Sequence, residues 1–155
     1  VGDAVAIART PWRIGGAQED DEEFQRVRDA LAQVGMLDRI DDDITRLSGG
    51  ERQRVAFAAM LAQDPELMML DEPTSHQDVS QQLMLMRLMR QLSANHAVAA
   101  TCHDINLVSR FATHVMLLGE GFHLAGSAAE VLTPETLGRA FACRFVRDGD
   151  QFVAA

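Results

Sequence analysis

Residues 67–74 read LMMLDEPT, an uninterrupted apolar run that leads directly into two adjacent acids. Consecutive apolar residues of this kind are typical of a strand that is covered on both faces, as in a parallel sheet. Ligands of such sheets bind beyond the carboxyl ends of the strands, which is where Asp71 and Glu72 would lie. One carboxylate there can hold Mg²⁺ through water, while its neighbour acts as a base toward a reacting water. Adjacent acids after a strand are also common in ordinary loops, so the pair alone does not decide the function.

A second apolar run lies downstream, at residues 97–102 (AVAATC), and it ends at His103. Between the two runs, Asp78 is a candidate helix cap, and apolar residues at helical spacing extend to about Ser93. A helix between two buried strands indicates a parallel sheet and an α/β fold. His103 would then follow a strand as Asp71 does, and an imidazole at that position can hydrogen-bond a phosphate. A histidine that caps an element or lies at the edge of the core is the alternative.

Upstream of the first strand, residues 44–57 (ITRLSGGERQRVAF) place a hydroxyl, two glycines and several charges just before an apolar stretch. Ser48 has the residue type of a helix N-cap, and small apolar residues follow it at helical spacing. The first N–H groups of a helix lack internal partners and carry roughly half a positive charge, so they attract an anion. Gly49 and Gly50 would let that anion approach the backbone closely. A flexible helix cap without a ligand is the alternative.

The rest of the chain adds helices before this stretch and hairpins after it. We predict helices over residues 3–9 and 23–36, with an apolar stripe that includes Phe24 and with a solvated acidic stretch before the second helix. A loop is predicted between them, at Pro11, Gly15 and Gly16. Further helix starts and hairpin turns are indicated at Asp104, Ser127 with Glu130, Thr133 with Pro134, Gly119 with Gly121, and Asp148 with Gly149.

The composition restricts the classes of function. The net charge of -9 and the pI near 4.9 argue against a nucleic-acid partner, whose binding surface would be basic. All basic residues are arginines, and because no lysine is present the phosphate-binding sequence GxxxxGK[ST] does not occur in these 155 residues. Cys102 and Cys143 form no CxxC pair, so no zinc site is indicated. The apolar runs are too short to cross a bilayer.

Four motifs follow one another: LSGGERQRVA at residues 47–56, LMMLDEPT at 67–74, SHQD at 75–78 and TCHD at 101–104. In this order and at these separations they closely resemble the nucleotide-binding subunit of ATP-binding cassette (ABC) transporters. They match that family's signature motif, Walker B strand, D-loop and switch histidine. The flanking sequence, such as DVSQQ after the D-loop, is similar to that of importers of iron-siderophore, haem or cobalamin.

The resemblance implies a role for each matching residue. The signature residues would contact the γ-phosphate of an ATP held by the opposite subunit, and they are Leu47, Ser48, Gly49, Gly50 and Glu51. Asp71 would lie near Mg²⁺, Glu72 would be the catalytic base, and His103 would be the switch histidine. Ser75–Asp78 would be the D-loop that crosses the dimer interface, with Asp78 at the nucleotide site.

The resemblance also implies partners and a location. The subunit would pair with a second copy of itself, bind transmembrane permease subunits through the helical part before Ser48, and act indirectly with a periplasmic substrate-binding protein. Its cofactors would be ATP and Mg²⁺, and it would lie peripherally on the cytoplasmic face of the bacterial inner membrane. The D-loop departs from the family pattern at Gln77, where leucine is usual. Because Asp78 remains, we expect function to be retained.

We divide the chain into a helical subdomain with the signature helix (1–62), a core segment with Walker B, D-loop and switch histidine (63–126), and C-terminal helices with a hairpin (127–155). This corresponds to an α/β P-loop NTPase domain without its Walker A part, so we expect this chain alone to bind ATP feebly and not to hydrolyse it. The alternatives are a non-transport ABC-type ATPase of DNA repair or the ribosome, and a non-catalytic cassette. The first would bring coiled-coil heptads or a linker rich in Lys and Arg, which are absent here; Glu72 and His103 weigh against the second.

Overall fold

A computed structural model describes residues 1–10, 17–75 and 77–155 of the chain. These residues form two units, Val1–Thr101 and Cys102–Ala155. The loop predicted at residues 11–16 and His76 of the D-loop lie outside the described residues. The three-part division at residues 62 and 126 stays a prediction.

The N-terminal part of the first unit contains three α-helices, Gly2–Ala8 (α1), Ala17–Gln33 (α2) and Gly49–Ala62 (α3). Two short 3₁₀-helices, Leu37–Arg39 and Ile44–Arg46, lie between α2 and α3 in the chain. Helix α3 packs against both α1 and α2. Apolar side chains from all three helices are buried, among them Val5, Val27, Leu31, Val55 and Ala58. Burying one valine or leucine side chain of this set stabilises the fold by about 1.5–3 kcal/mol. The amphipathic spacing read from the sequence therefore marks a helical core.

The bounds of α2 differ from the prediction at both ends. The helix begins at Ala17 rather than at residue 23, because acidic residues are favourable near the positive end of a helix and need not form a loop. It ends before Gly35, whose φ of +66° is left-handed, and the N–H of Met36 donates to the carbonyl of Leu31 at 2.8 Å. Phe24 does not belong to the buried stripe, since its side chain is 58% exposed.

An ion pair between a buried arginine and a half-buried glutamate joins these three helices. Arg9 is 8% exposed, its Nε donates to Glu23 Oε2 at 2.7 Å, and its Nη1 donates to the carbonyl of Ala62 at 2.8 Å. The hydrogen bond to Glu23 raises the pKa of Arg9 above its ordinary value, so the guanidinium keeps its charge inside the bundle. No pattern in the sequence indicates this pair.

We expect Glu23→Ala to lower the free energy of unfolding by about 3 kcal/mol, because it leaves the buried charge of Arg9 without its carboxylate. Equilibrium unfolding in urea measures the change as a shift of the midpoint at constant slope. Glu22→Ala is the matched control, since Glu22 is adjacent and exposed, and it should change the free energy by no more than about 0.5 kcal/mol. Equal midpoints for the two variants would show that the ion pair contributes nothing.

The first unit also contains a parallel strand pair. Leu67–Leu70 (β1) pairs with Ala97–Ala100 (β2), with Leu67 opposite Ala97 and Leu70 opposite Ala100. The helix Val79–Leu92 (α4) connects the two strands and packs against β2. A parallel pair requires such a crossover, so the predicted α/β arrangement is confirmed. Helix α4 begins at the predicted cap, where the carboxylate of Asp78 accepts a hydrogen bond from the N–H of Gln81 at 3.0 Å.

The prediction that these strands are covered on both faces is wrong for the described residues. In β1, Met68 is buried, whereas Met69 is 76% exposed and Leu67 is 56% exposed. In β2, Val98 is half-buried and its alanines are exposed. Successive side chains of a strand point to opposite faces, so one face of the pair is covered and the other faces solvent. An apolar run indicates that both faces tolerate burial, and it carries no information on whether a covering layer is present.

The second unit contains short helices and two hairpins. Its elements are Ile105–Phe111 (α5), His114–Gly119 (β3), Phe122–Ser127 (β4), Ala128–Val131 (α6), Pro134–Phe141 (α7), Phe145–Asp148 (β5) and Gln151–Ala154 (β6). The antiparallel pairs β3–β4 and β5–β6 confirm both predicted hairpins. The predicted caps are also confirmed, since the side chains of Asp104, Ser127 and Thr133 accept hydrogen bonds from the first turns of α5, α6 and α7.

This unit has an apolar core of its own, formed by Leu117, Val131, Leu132, Leu137 and Phe152. Helix α7 approaches β3 closely at Gly119, where an added Cβ would lie 2.6 Å from the carbonyl oxygen of Ala140. A side chain at that position would force the two elements apart. None of the described helices combines the length and the apolar character needed to cross a bilayer.

Candidate functional site

A capping box fixes the turn at the start of α3. The hydroxyl of Ser48 accepts a hydrogen bond from the N–H of Glu51 at 3.3 Å, and Glu51 Oε2 accepts one from the N–H of Ser48 at 2.8 Å. The predicted cap at Ser48 is therefore present, with a reciprocal partner that the sequence analysis did not name. The Ser-x-x-Glu spacing would have indicated it, as it did for Ser127 and Glu130.

The carboxylate of Glu51 is held by this box. The hydrogen bond from the backbone N–H of Ser48, and next the one from its side chain, keep the pKa of Glu51 below its ordinary range. Arg39 Nη2 lies 3.4 Å from Glu51 Oε1 and adds positive charge. Glu51 therefore stays ionised at neutral pH, and the structure gives it a part in shaping the turn.

Leu47 attaches the turn to the apolar core. Its side chain is 3% exposed and lies in the core, and its carbonyl accepts a hydrogen bond from Arg52 Nη1 at 2.8 Å. Of the predicted signature residues, Leu47 is thus the one whose side chain is withdrawn from solvent. A buried leucine at this point fixes where the polar turn begins.

The two glycines of the turn border open space. A Cβ built on Gly49 or on Gly50 would meet no atom within 4 Å. The capping box engages the N–H groups of Ser48 and Glu51 and does not involve those of the glycines. Exposed N–H groups in the first turn of a 14-residue helix form a place where an anion can bind.

The start of α3 and the start of α4 line one cleft of about 440 Å³. It is lined by Ser48, Gly49, Gly50, Glu51, Arg54, Gln77, Asp78 and Gln81. Five of these were predicted to bind nucleotide, so the structure brings the signature turn and Asp78 of the D-loop together. The cleft adds a cation and two amide side chains that were not predicted to bind nucleotide.

Arg54 supplies the positive charge of this cleft. Its Nη1 donates to Gln81 Oε1 at 2.6 Å, which joins α3 to α4. Its Nε and the Oε1 of Gln77 are buried atoms without a hydrogen-bond partner in the described part of the chain. Arg54 lies four residues after Gly50 on one helix, and this spacing could have placed it on the face of the glycines.

Asp78 contributes a negative charge to the rim of the same cleft. The hydroxyl of Ser80 and then the N–H of Gln81 donate to its carboxylate and keep its pKa below the ordinary range. Asp78 is therefore ionised at neutral pH, and its two hydrogen bonds hold it at the start of α4. Attraction for a phosphate must come from the helix terminus and from Arg54, because both acids at the rim repel it.

The two predicted acids lie directly after β1, and both are exposed. Thr101 Oγ1 donates to Asp71 Oδ1 at 2.6 Å and accepts a hydrogen bond from the N–H of Glu72 at 2.8 Å. The backbone of Glu72 has a φ of +41°, a conformation that a non-glycine residue rarely adopts. From α3, Gln53 Nε2 donates to the carbonyl of Pro73 at 2.8 Å. The sequence analysis identified neither Thr101 nor Gln53.

His103 belongs to the second unit, in which it immediately precedes Asp104, the cap of α5. Its side chain is exposed. The structure thus confirms that His103 comes just after the second strand, and its catalytic role stays a prediction.

Comparison with known proteins identifies the family. The family model described as "ABC transporter" matches residues 5–75, which include the signature turn, β1 and both acids. The iron(3+)-hydroxamate import ATP-binding protein FhuC of Bacillus subtilis is 35% identical over 144 residues, which cover 91% of this chain. This chain belongs to the ABC transporter family. The cobalamin import ATP-binding protein BtuD of Halobacterium salinarum is 41% identical over 118 residues, or 74% of the chain. The chain spans 54% of the length of FhuC and 30% of that of BtuD.

Solved structures of ABC proteins share the fold. A metal-chelate type ABC transporter in an inward-facing conformation matches 99% of this chain and 63% of its own chain, with a TM-score of 0.80 and 26% identity. A dimeric ATP-binding cassette in a post-hydrolysis state, bound to ADP and Pi, matches 81% of this chain and 56% of its own, with a TM-score of 0.68 and 27% identity. The predicted fold, a partial ABC ATPase domain of the α/β class, is confirmed.

The donor set of this ABC domain fits magnesium bound together with a nucleotide. Among the described residues, no group of three or more His, Cys, Asp or Glu side chains could hold a metal ion. Mg²⁺ in nucleotide sites is usually held by one or two carboxylates, by phosphate oxygens and by water. A single exposed carboxylate such as Asp71 is suited to that arrangement and not to a site built from protein ligands alone.

Proposed function

We propose that the complete protein carrying this chain is the ATP-binding and ATP-hydrolysing subunit of an importer for iron-siderophore, haem or cobalamin. The observation that carries the proposal is the cleft in which the signature turn of α3 meets Asp78 at the start of α4. The names of the relatives support the cargo class, since FhuC is named for iron(3+)-hydroxamate and BtuD for cobalamin. We place the subunit peripherally on the cytoplasmic face of the bacterial inner membrane.

In the proposed dimer, this cleft receives the γ-phosphate of an ATP held mainly by the second copy of the subunit. The N–H groups of Gly49 and Gly50 donate to the phosphate oxygens, because no side chain blocks their approach. Arg54 adds a positive charge from the next turn of α3. The Ser48–Glu51 box keeps the turn in this shape and keeps the carboxylate of Glu51 on the N–H of Ser48.

The two acids after β1 serve the ATP that their own copy holds. Asp71 is the ligand for Mg²⁺, which when bound neutralises phosphate charge and orients the nucleotide. Glu72 accepts a proton from the attacking water at its carboxylate. We assign to His103 a hydrogen bond to the γ-phosphate on the basis of its place after β2. Because this chain contains no lysine for a phosphate-binding loop, we expect it to bind ATP feebly by itself.

We place the contact with the permease on a groove of the helical part of the first unit. The groove has a volume of about 770 Å³ and lies between α1, the middle of α2 and residues 40–44. Ile7 and Phe24 on its wall are 70% and 58% exposed, which is a large apolar exposure for neighbouring side chains. The acids Asp3, Asp41, Asp42 and Asp43 also line it. An apolar segment of a permease with flanking basic residues complements this surface. The periplasmic substrate-binding protein would act through the permease.

The experiment that tests the import function is Ile7→Asp in the complete transporter. A charge placed in an apolar contact costs several kcal/mol, so uptake of labelled ferric hydroxamate or cobalamin into cells should fall by about tenfold or more. ATP hydrolysis by the subunit without its permease should stay within about twofold of the parent, because Ile7 does not line the signature cleft. Met116→Asp is the matched control, since Met116 is also 70% exposed and lies in β3. Normal uptake with Ile7→Asp would contradict the proposed contact, and absence of uptake by the parent transporter would contradict the import function.

A further inference from the structure

The hydroxyl of Thr101 links the two acids of the site. It donates to Asp71 Oδ1 at 2.6 Å and accepts the N–H of Glu72 at 2.8 Å, so one oxygen atom uses both its donor and an acceptor position. Thr101 is itself fixed, because its N–H donates to the carbonyl of Leu70 at 3.0 Å and continues the β1–β2 ladder. The end of β2 is thereby attached to both acids that follow β1.

The backbone of Glu72 is held on its other side as well. Its carbonyl accepts hydrogen bonds from the N–H and the hydroxyl of Ser75, at 3.0 and 2.9 Å, and from Gln53 Nε2 at 3.4 Å. A non-glycine residue at φ +41° is strained, and such a conformation persists only where surrounding contacts hold it. On its N–H side, Glu72 donates a hydrogen bond to the hydroxyl oxygen of Thr101.

We propose that Thr101 is a positioning residue for the magnesium carboxylate and for the catalytic base. The hydroxyl donates to Oδ1 of Asp71 and so leaves Oδ2 available as the ligand oxygen for Mg²⁺. It also fixes the backbone of Glu72, from which the side chain of the base extends. This inference rests on the proposed function, since it assigns to Thr101 a task in MgATP hydrolysis. A threonine that merely ends the strand would need only its backbone bond to Leu70.

Two substitutions distinguish a positioning role of the Thr101 hydroxyl from a purely structural one. Thr101→Val keeps the shape and the β-branching and removes the hydroxyl, whereas Thr101→Ser keeps the hydroxyl and removes a methyl group. In the complete subunit, we expect Thr101→Val to raise the Mg²⁺ concentration for half-maximal ATP hydrolysis about tenfold and to lower kcat, because a hydrogen bond to a charged group is lost. Thr101→Ser should restore both quantities to within about twofold of the parent.

A second readout does not depend on catalysis. In the complete subunit without nucleotide, the amide proton of Glu72, followed by NMR, should exchange with solvent about tenfold faster in Thr101→Val than in the parent, and Thr101→Ser should match the parent. An unchanged Mg²⁺ requirement in Thr101→Val, or a failure of Thr101→Ser to restore it, would overturn the role of Thr101 while leaving the ATPase assignment intact. A parent subunit that does not hydrolyse ATP would refute the proposed function itself and with it this inference.

Discussion

In the complete subunit, Glu72→Gln is expected to lower kcat for ATP hydrolysis by about a hundredfold to ten-thousandfold, the range that a positioned general base contributes. Glutamine has the size of glutamate and cannot accept the proton of the attacking water. The backbone N–H of residue 72 keeps its hydrogen bond to Thr101 Oγ1, so the strained turn should be retained. ATP should stay bound in a closed dimer, which gel filtration separates from the monomer while phosphate release reports turnover.

The matched control is Glu66→Gln. Glu66 is an exposed acid that directly precedes β1, and the substitution makes the same chemical change at the other end of this strand. We expect it to leave kcat within about twofold of the parent. A Glu72→Gln subunit that hydrolysed ATP within about threefold of the parent would exclude Glu72 as the base, because general-base catalysis contributes far more than this.

The features that the sequence predicted correctly depend on residues close together in the chain. The caps at Ser48, Asp78 and Asp104 require a side chain and an N–H group two or three residues further on, so local patterns are sufficient to find them. The placement of Asp71 and Glu72 after β1 follows from an apolar run that ends in polar residues. The order of the motifs then indicated the family before any contact between them was known.

The features that the sequence did not predict depend on residues far apart in the chain. Thr101 bonds Asp71 across 30 residues, Arg54 bonds Gln81 across 27, and Arg9 reaches Ala62 across 53. A single contact between distant residues leaves no periodic signal in a sequence. The exposed side chains of β1 are unpredictable for a related reason, since burial depends on what packs against the strand.

The second large effect concerns the signature turn. Ser48→Asp keeps a good N-cap, since aspartate caps a helix about as well as serine, and it places a carboxylate where the γ-phosphate would bind. Two like charges about 4 Å apart repel by about 4 kcal/mol at an effective dielectric constant of about 20. We therefore expect ATP hydrolysis by the complete subunit to fall by at least about a hundredfold.

The chain offers a matched control for this variant. Ser127 forms the same capping box with Glu130, with its hydroxyl 3.4 Å from the N–H of Glu130, compared with 3.3 Å for Ser48 and Glu51. Ser127→Asp makes the same change at a cap outside the signature cleft. It should leave hydrolysis within about twofold of the parent. An equal loss of activity in both variants would mean that altered capping, and not phosphate repulsion, is responsible.

Mixing the two inactive variants tests whether the Ser48 and the Glu72 of one ATP site come from different copies of the subunit. In a dimer of one Ser48→Asp copy with one Glu72→Gln copy, one site contains both substitutions, while the other pairs an intact Glu72 with an intact Ser48. If copies mix at random before ATP is added, about half of the dimers are mixed and each has one intact site, so the mixture should recover about a quarter of the parent activity. The mixture could instead be as inactive as its components, at concentrations where each variant dimerises. That result would show that Ser48 of one copy and Glu72 of the other do not form one ATP site. Glu72 would then have to act with the Ser48 of its own copy, and the cleft between α3 and α4 would lose its assigned partner.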